Sequence, residues 1–115
     1  MKLKFCNIKF EKCKSRLVFI NCKINSEIVT CLIDSGAENS CANINSSFLK
    51  NSKIFPSNKK IQGADGKLLD AGKQTDVNLD IGDNVIHKIS HVQLINNLSY
   101  DFIIGGDVIG CVNFF

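Results

Sequence analysis

The sequence predicts a small all-β domain, closed or sandwiched, in which short strands follow one another at regular spacing. Three observations carry that expectation. Two runs rich in Val, Ile and Phe, Ser15 to Ile24 and Glu27 to Ile33, are separated only by Asn25-Ser26, whose side chains favour turns. Thr75, Val77, Leu79 and Ile81 alternate with Asp76, Asn78 and Asp80, the period of two that belongs to a half-buried strand. Helical character is confined to Ser46 to Asn51, where Ser46 or Ser47 would cap one short turn.

In chain order, the first two runs form a hairpin. A second hairpin is expected in "IQGADGKLLDAG", Ile61 to Gly72, because Asp65-Gly66 suits a type I′ turn, while Gly63 and Gly72 leave the adjoining strands deformable. Gly82-Asp83-Asn84 ends the alternating strand. Val85 to Ile95 reads as the next one, with its inward face left unassigned by His87, Lys88 and His91, and Asn96-Asn97 closes it. Phe102-Ile103-Ile104 is a last apolar strand that runs into Gly105-Gly106. Residues 1–115 are expected to form one domain, large enough for one core, with no repeat or linker.

Composition excludes several functions. The chain is 44% hydrophobic and 22% charged, within the range of globular proteins, and no apolar stretch is long enough to span a bilayer, so no membrane partner is expected. Lys9, Glu11, Lys12 and Lys14 interrupt the apolar run that a signal peptide would need. Of six cysteines none forms a C-x-x-C pair, so reduced, mostly buried thiols are expected, with no metal and no cofactor. The net charge of +3 is spread over scattered lysines without interleaved aromatics, which argues against nucleic acid as a partner. His87 and His91 would sit about 13 Å apart on one strand face, too far to share a metal ion. Asn45-Ser46-Ser47 and Asn97-Leu98-Ser99 match the glycosylation pattern but lack a secretory context.

One stretch asks for chemistry. In "CLIDSGAENS", Cys31 to Ser40, an apolar strand delivers Asp34 beside the core and the chain turns at once. An ionised carboxylate there costs several kcal/mol unless donors face it. Gly36 permits a tight turn whose N–H groups can do so, and Ser35 adds a hydroxyl. Alone, Asp-Ser-Gly is a common turn. The far segment "YDFIIGGDVIG", Tyr100 to Gly110, repeats the logic of an apolar strand running into a glycine turn.

Together, "LIDSGAENS", "IQGADGKLLDAG" and "YDFIIGGDVIG" resemble, in order and approximate spacing, the retropepsin family of retroviral and retroelement aspartic proteases. The Ala64-Asp65-Gly66 form is closest to gypsy-type retroelement enzymes. The resemblance spans about Arg16 to Gly110 and implies a small closed β-barrel-like fold with a flap hairpin and at most one short helix. It places the catalytic aspartate on Asp34, loop support on Ser35, Gly36 and Ala37, and flap and substrate contacts on Ile61, Gly63, Ala64, Asp65 and Gly66. Ile103, Ile104, Gly105 and Asp107 become the structural segment beside the active site. Cleft walls are expected near Leu32, Ala37, Ile61, Ala64 and Ile103. With one such motif per chain, the partner is a second identical subunit, and the substrate an extended peptide or Gag-Pol-type polyprotein, cut in the cytoplasm or within a virus-like particle. The family usually has a longer helix after its Ile-Gly-x-Asp/Asn segment. Here Gly110 to Phe115 follows early, so either the helix is short and "CVNFF" supplies a dimer strand, or the chain stops inside a longer polyprotein. Met1 to Ser15 would supply an N-terminal strand. The alternative is a catalytically silent domain of the same fold that dimerises or binds peptide.

Overall fold

A two-residue turn fixes the first hairpin. In the computed structural model, which describes residues 17–62, 68–69 and 71–112, β1 (Val18–Ile24) and β2 (Glu27–Ile33) pair antiparallel from Val18↔Ile33 to Ile24↔Glu27. Asn25 and Ser26 both adopt positive φ, 51° and 73°, a turn whose twist matches that of its strands. Asn25 is held there from three sides. Its N–H donates to Asn78 O and its Oδ1 accepts from Asn78 N, both at 2.9 Å. Its Nδ2 donates to Phe48 O at 3.0 Å.

The remaining described elements are β3 (Cys41–Asn43), a 3-10 turn (Ser47–Leu49), β4 (Phe55–Pro56), β5 (Ile61–Gln62), β6 (Leu68–Leu69), β7 (Lys73–Asp80), β8 (His87–Ile95), β9 (Phe102–Ile104) and α1 (Gly106–Ile109). The main sheet runs β1-β2-β9-β3-β8-β7-β4, and a further β1–β7 pairing, Lys23↔Asp80 and Ile24↔Leu79, closes the first six strands into a barrel. Closure removes the open edges that an isolated sheet would expose. β4 continues the sheet outward from β7, and β5 pairs with β6 in a separate two-stranded sheet. The fold is thus an all-β closed barrel with one short α-helix. Among the described residues no helix is long and apolar enough to cross a membrane.

Alternation sorts the buried side chains into two groups. Cys22, Val29, Cys31, Ala42, Val77, Leu79, Val92, Leu94, Phe102 and Ile104 point inward as the barrel core, where Phe48 meets Phe102 edge-on with centroids 6.0 Å apart. The alternate positions Leu32, Cys41, Ile95 and Ile103 form a second cluster on the opposite face with Ala37, Ile61 and Ala71. Burial pushes the Cys22 and Cys31 thiols up, in line with their place inside the barrel. Cys22, Cys31 and Cys41 are buried thiols, whereas Cys111 is exposed.

Three local expectations need adjustment. Helical structure is not confined to Ser46 to Asn51, since the one α-helix among the described residues, α1, follows β9, where Val108 N and Ile109 N both donate to Gly105 O at 3.0 Å. β8 starts at His87, not Val85, because Asp80 and Asp83 side chains accept the N–H groups of Gly82 (2.8 Å) and Val85 (3.3 Å), holding the chain in turns. Ser46 occupies the cap position of the 3-10 turn, but its hydroxyl makes no capping bond. The segments 1–16, 63–67 and 113–115 and residue 70 lie outside the described residues, and with them the expected N-terminal strand, the tip of the Ile61 to Gly72 hairpin and the end of "CVNFF".

Candidate active site

Asp34 leaves the end of β2 at the point where that strand runs parallel to β9, with Leu32↔Ile103 and Ile33↔Ile104 in register. Its N–H donates to Ile104 O at 2.9 Å, so the carboxylate-bearing residue is the first one past the ladder and its position is still set by it. The chain then turns. Ala37 N donates to Asp34 O at 3.1 Å, and Gly36 N donates to Asp34 Oδ1 at 3.0 Å, closing an Asx-type turn around the side chain. Asp34 is only 9% exposed, a burial at which a charge-assisted bond from a backbone N–H matters. Ser35, next to it, is exposed, and Ala37 is buried in the outer cluster.

The far side of the loop is clamped by the segment that follows β9. Gly106 N donates to Ala37 O at 2.6 Å and Asp107 N to Glu38 O at 3.2 Å. Ser40 is fully buried and acts as the junction: its Oγ donates to Asp107 Oδ1 at 2.7 Å and accepts from Gly105 N at 3.0 Å, while its N–H donates to Asp107 Oδ2 at 3.1 Å. Gly105 is glycine for want of room. A Cβ there would meet Ala37 O at 2.8 Å and Asn39 O at 2.9 Å, although its φ of −99° suits any residue. The Asp34 loop is therefore stapled at both ends to residues 104–107, some seventy positions along the chain.

The outer cluster provides an apolar floor beside this loop. Leu32, Ala37, Ile61 and Ile103 belong to it, together with Cys41, Ala71 and Ile95, which sequence reasoning missed; Leu98 and Tyr100 pack at its margin. Strand pairing would have revealed Cys41, which sits opposite Ile103, but that register is invisible without the fold. The hairpin strands β5 and β6 pair as Ile61↔Leu69 and Gln62↔Leu68. Gly63, Ala64, Asp65 and Gly66, expected to contact substrate, lie outside the described residues.

The histidines stand apart from this site. His87 Nε2 bonds Asp83 Oδ2 at 2.9 Å, and that bond holds the Asp83 carboxyl below its ordinary value. His91 is exposed with φ 62°. Among the described residues no group of three or more His, Cys, Asp or Glu is placed to hold a metal ion.

No family model and no curated protein matches the chain. Among solved structures, the EIAV protease complexed with the inhibitor HBY-793 is similar with a TM-score of 0.67, at 18% identity, over 84% of this chain and 88% of that one. The retroviral protease-like domain of Ddi1 from Leishmania major is 20% identical over 84% of this chain and 72% of that one, with a TM-score of 0.44. The closed barrel with one short helix is the retropepsin fold.

Proposed function

We propose that this chain of retropepsin fold is a single domain forming one half of a homodimeric aspartic endopeptidase, with Asp34 as its catalytic residue. The observation that carries the reading is the Asp34 loop: a 9%-exposed carboxylate, bonded to the Gly36 N–H and clamped at both ends, is far more than a surface turn needs.

The chain has one such motif, so the active site needs a second copy from another subunit. Two carboxylates brought within a few Å cannot both ionise readily, and the pair holds one proton, the documented behaviour of aspartic-protease dyads. The ionised partner takes a proton from a bound water, which attacks the scissile carbonyl; the protonated partner donates to the carbonyl oxygen. The reaction needs neither metal nor covalent intermediate. Ser35, exposed beside the dyad, braces the two loops across the dimer, and Gly36 supports the carboxylate. The Ile61 to Gly72 hairpin closes as a flap over an extended peptide held by main-chain bonds, with apolar side chains against Leu32, Ala37, Ile61 and Ile103. Together with the gypsy-like Ala64-Asp65-Gly66 run, this supports processing of a retroelement Gag-Pol-type polyprotein, in the cytoplasm or an assembling particle.

A second reading is favoured by one feature: α1 is only four residues long, Gly106–Ile109. A silent domain of the same fold that binds peptide or dimerises would tolerate so short a helix. Cleavage of a peptide library at mildly acidic and neutral pH decides between them. Activity that depends on protein concentration and is lost in Asp34→Asn supports the endopeptidase. A folded, dimeric protein that binds peptide equally well before and after Asp34→Asn, without cutting it, supports the alternative.

A further inference from the structure

We propose that the outer end of this cleft is a subsite for an acidic substrate side chain, in which Gln74 is the hydrogen-bond donor and the buried Gln93 its orienting residue. The inference rests on the peptide-cleaving or peptide-binding reading above and names the side chain such a peptide carries.

The placement comes from strand register. Leu32 pairs with Ile103, Ile103 with Cys41, Cys41 with Gln93 and Gln93 with Gln74. Residues directly opposite one another across a ladder share a face, so the two glutamines continue the row that begins beside Asp34 as the apolar floor of the cleft. On β8 this face also holds Ile95, two residues beyond Gln93, whereas Val92 and Leu94 turn into the barrel core. The floor is thus apolar near Asp34 and polar at its outer end. With strands about 4.8 Å apart, three steps separate Gln74 from Ile103 by about 14 Å, the length of about four residues of an extended peptide.

The chemistry comes from the amide network. Gln93 is fully buried and all its polar atoms are engaged. Its Nε2 donates to His91 O at 2.9 Å and to Gln74 Oε1 at 3.1 Å, and its Oε1 accepts from Ser57 Oγ at 2.7 Å. A carbonyl oxygen can only accept, so His91 O fixes which end of the Gln93 amide faces it. Gln93 therefore presents N–H to Gln74, which must turn its own oxygen inward. The consequence is that half-buried Gln74 directs its NH2 group away from the network, and that group has no acceptor among the described residues. A donor with one fixed orientation at the cleft face selects for an acceptor.

Charge narrows the acceptor to a carboxylate. Two exposed lysines belong to the same region of the chain: Lys73 adjoins Gln74 along β7, its side chain alternating to the other face, and Lys59 donates its backbone N–H to Ser57 Oγ at 3.2 Å. Asp76, the acidic residue closest along β7, is already taken up by the His91 N–H (3.4 Å) and by Lys88 Nζ (3.6 Å). Neither lysine alone would make a site. The fixed donor gives the position, and the positive field of exposed lysines in this region favours a negative acceptor over a neutral one.

The test uses decapeptides with a central Leu-Phe bond, identical except for Glu, Gln, Leu or Lys at the third and fourth positions on either side of it. Their cleavage is measured with the wild-type protein and their binding, by fluorescence anisotropy, with Asp34→Asn. We expect Glu to be favoured over Leu by roughly tenfold at one of those positions, the size of a charge-assisted hydrogen bond at a partly exposed site. Gln74→Glu, isosteric and outside the core, should reverse the order of Glu and Lys. Cleavage without a Glu preference, or with one that survives Gln74→Glu, would overturn the subsite and leave the endopeptidase standing. A preference in binding that reverses in Gln74→Glu without any cleavage would support the subsite and overturn the endopeptidase. Neither cleavage nor selective binding would overturn both.

Discussion

Gly105→Ala adds a single methyl group where the segment after β9 crosses the Asp34 loop. That carbon would lie 2.8 Å from Ala37 O, 2.9 Å from Asn39 C and 2.9 Å from Asn39 O. All three are backbone atoms, so no side-chain rotation can make room. Restoring ordinary contacts of about 3.5 Å means moving the two segments apart by about 0.7 Å at the closest of them. Three hydrogen bonds cross at this point: Gly106 N to Ala37 O at 2.6 Å, Asp107 N to Glu38 O at 3.2 Å and Gly105 N to Ser40 Oγ at 3.0 Å. Overpacking costs about 1–3 kcal/mol and each weakened bond up to about 1 kcal/mol more, so we expect a loss of about 3 kcal/mol. In a domain of this size that lowers Tm by about 10–15 °C. Gly106→Ala is the internal control, since its Cβ would come no closer than 3.4 Å to Ala37 O. It lies in α1, where alanine is favoured over glycine by up to about 1 kcal/mol. Urea unfolding followed by circular dichroism compares the two adjacent variants directly. Equal midpoints would refute the claim that close approach makes Gly105 a glycine.

Two more expectations concern buried groups. Ser40→Ala removes the hydroxyl shared by Gly105 N and Asp107 Oδ1 and should cost about 2 kcal/mol, with Ser40→Thr restoring most of it; an alanine variant that melts with the wild type would contradict the junction. Burial holds the Cys31 thiol well above its ordinary value of about 9. The folded chain then keeps that proton while the unfolded chain releases it. Stability is therefore fully present below about pH 9 and falls as pH rises toward the folded-state value. Chemical denaturation at pH 8 and pH 10 should show this decline, and a Cys31→Ala variant with an equally steep decline would show that the thiol is not its source.

How much of this was legible in the sequence depends on how local the signal is. The hairpin of β1 and β2 and the strand β7 could be read directly, because Asn25-Ser26 and the alternation of Thr75, Val77 and Leu79 are short-range patterns. The inward face of β8 could not. The register slips between Thr75 and Val77, and His91 takes φ 62°, so simple alternation fails within that strand. Gln93 and Gln74 look like solvent-facing residues in sequence; only the neighbouring strands show that one is buried and the other oriented by it. Asp34 stood out through its surroundings, but its clamp did not, since Ser40 and Asp107 are 67 residues apart and nothing in either local stretch announces the bond.

The parallel pairing of β2 with β9 also has a consequence in time. Parallel neighbours cannot be joined by a tight turn, and their contacts form only after the intervening chain exists. Asp34 is synthesised some seventy residues before the carbonyl of Ile104 and the clamp from Gly106 and Asp107. A ribosome-bound chain that has not yet released residue 107 carries the carboxylate without the frame that aims it. Whatever chemistry the loop performs is thereby withheld from the nascent polypeptide until residues 104–107 have joined it.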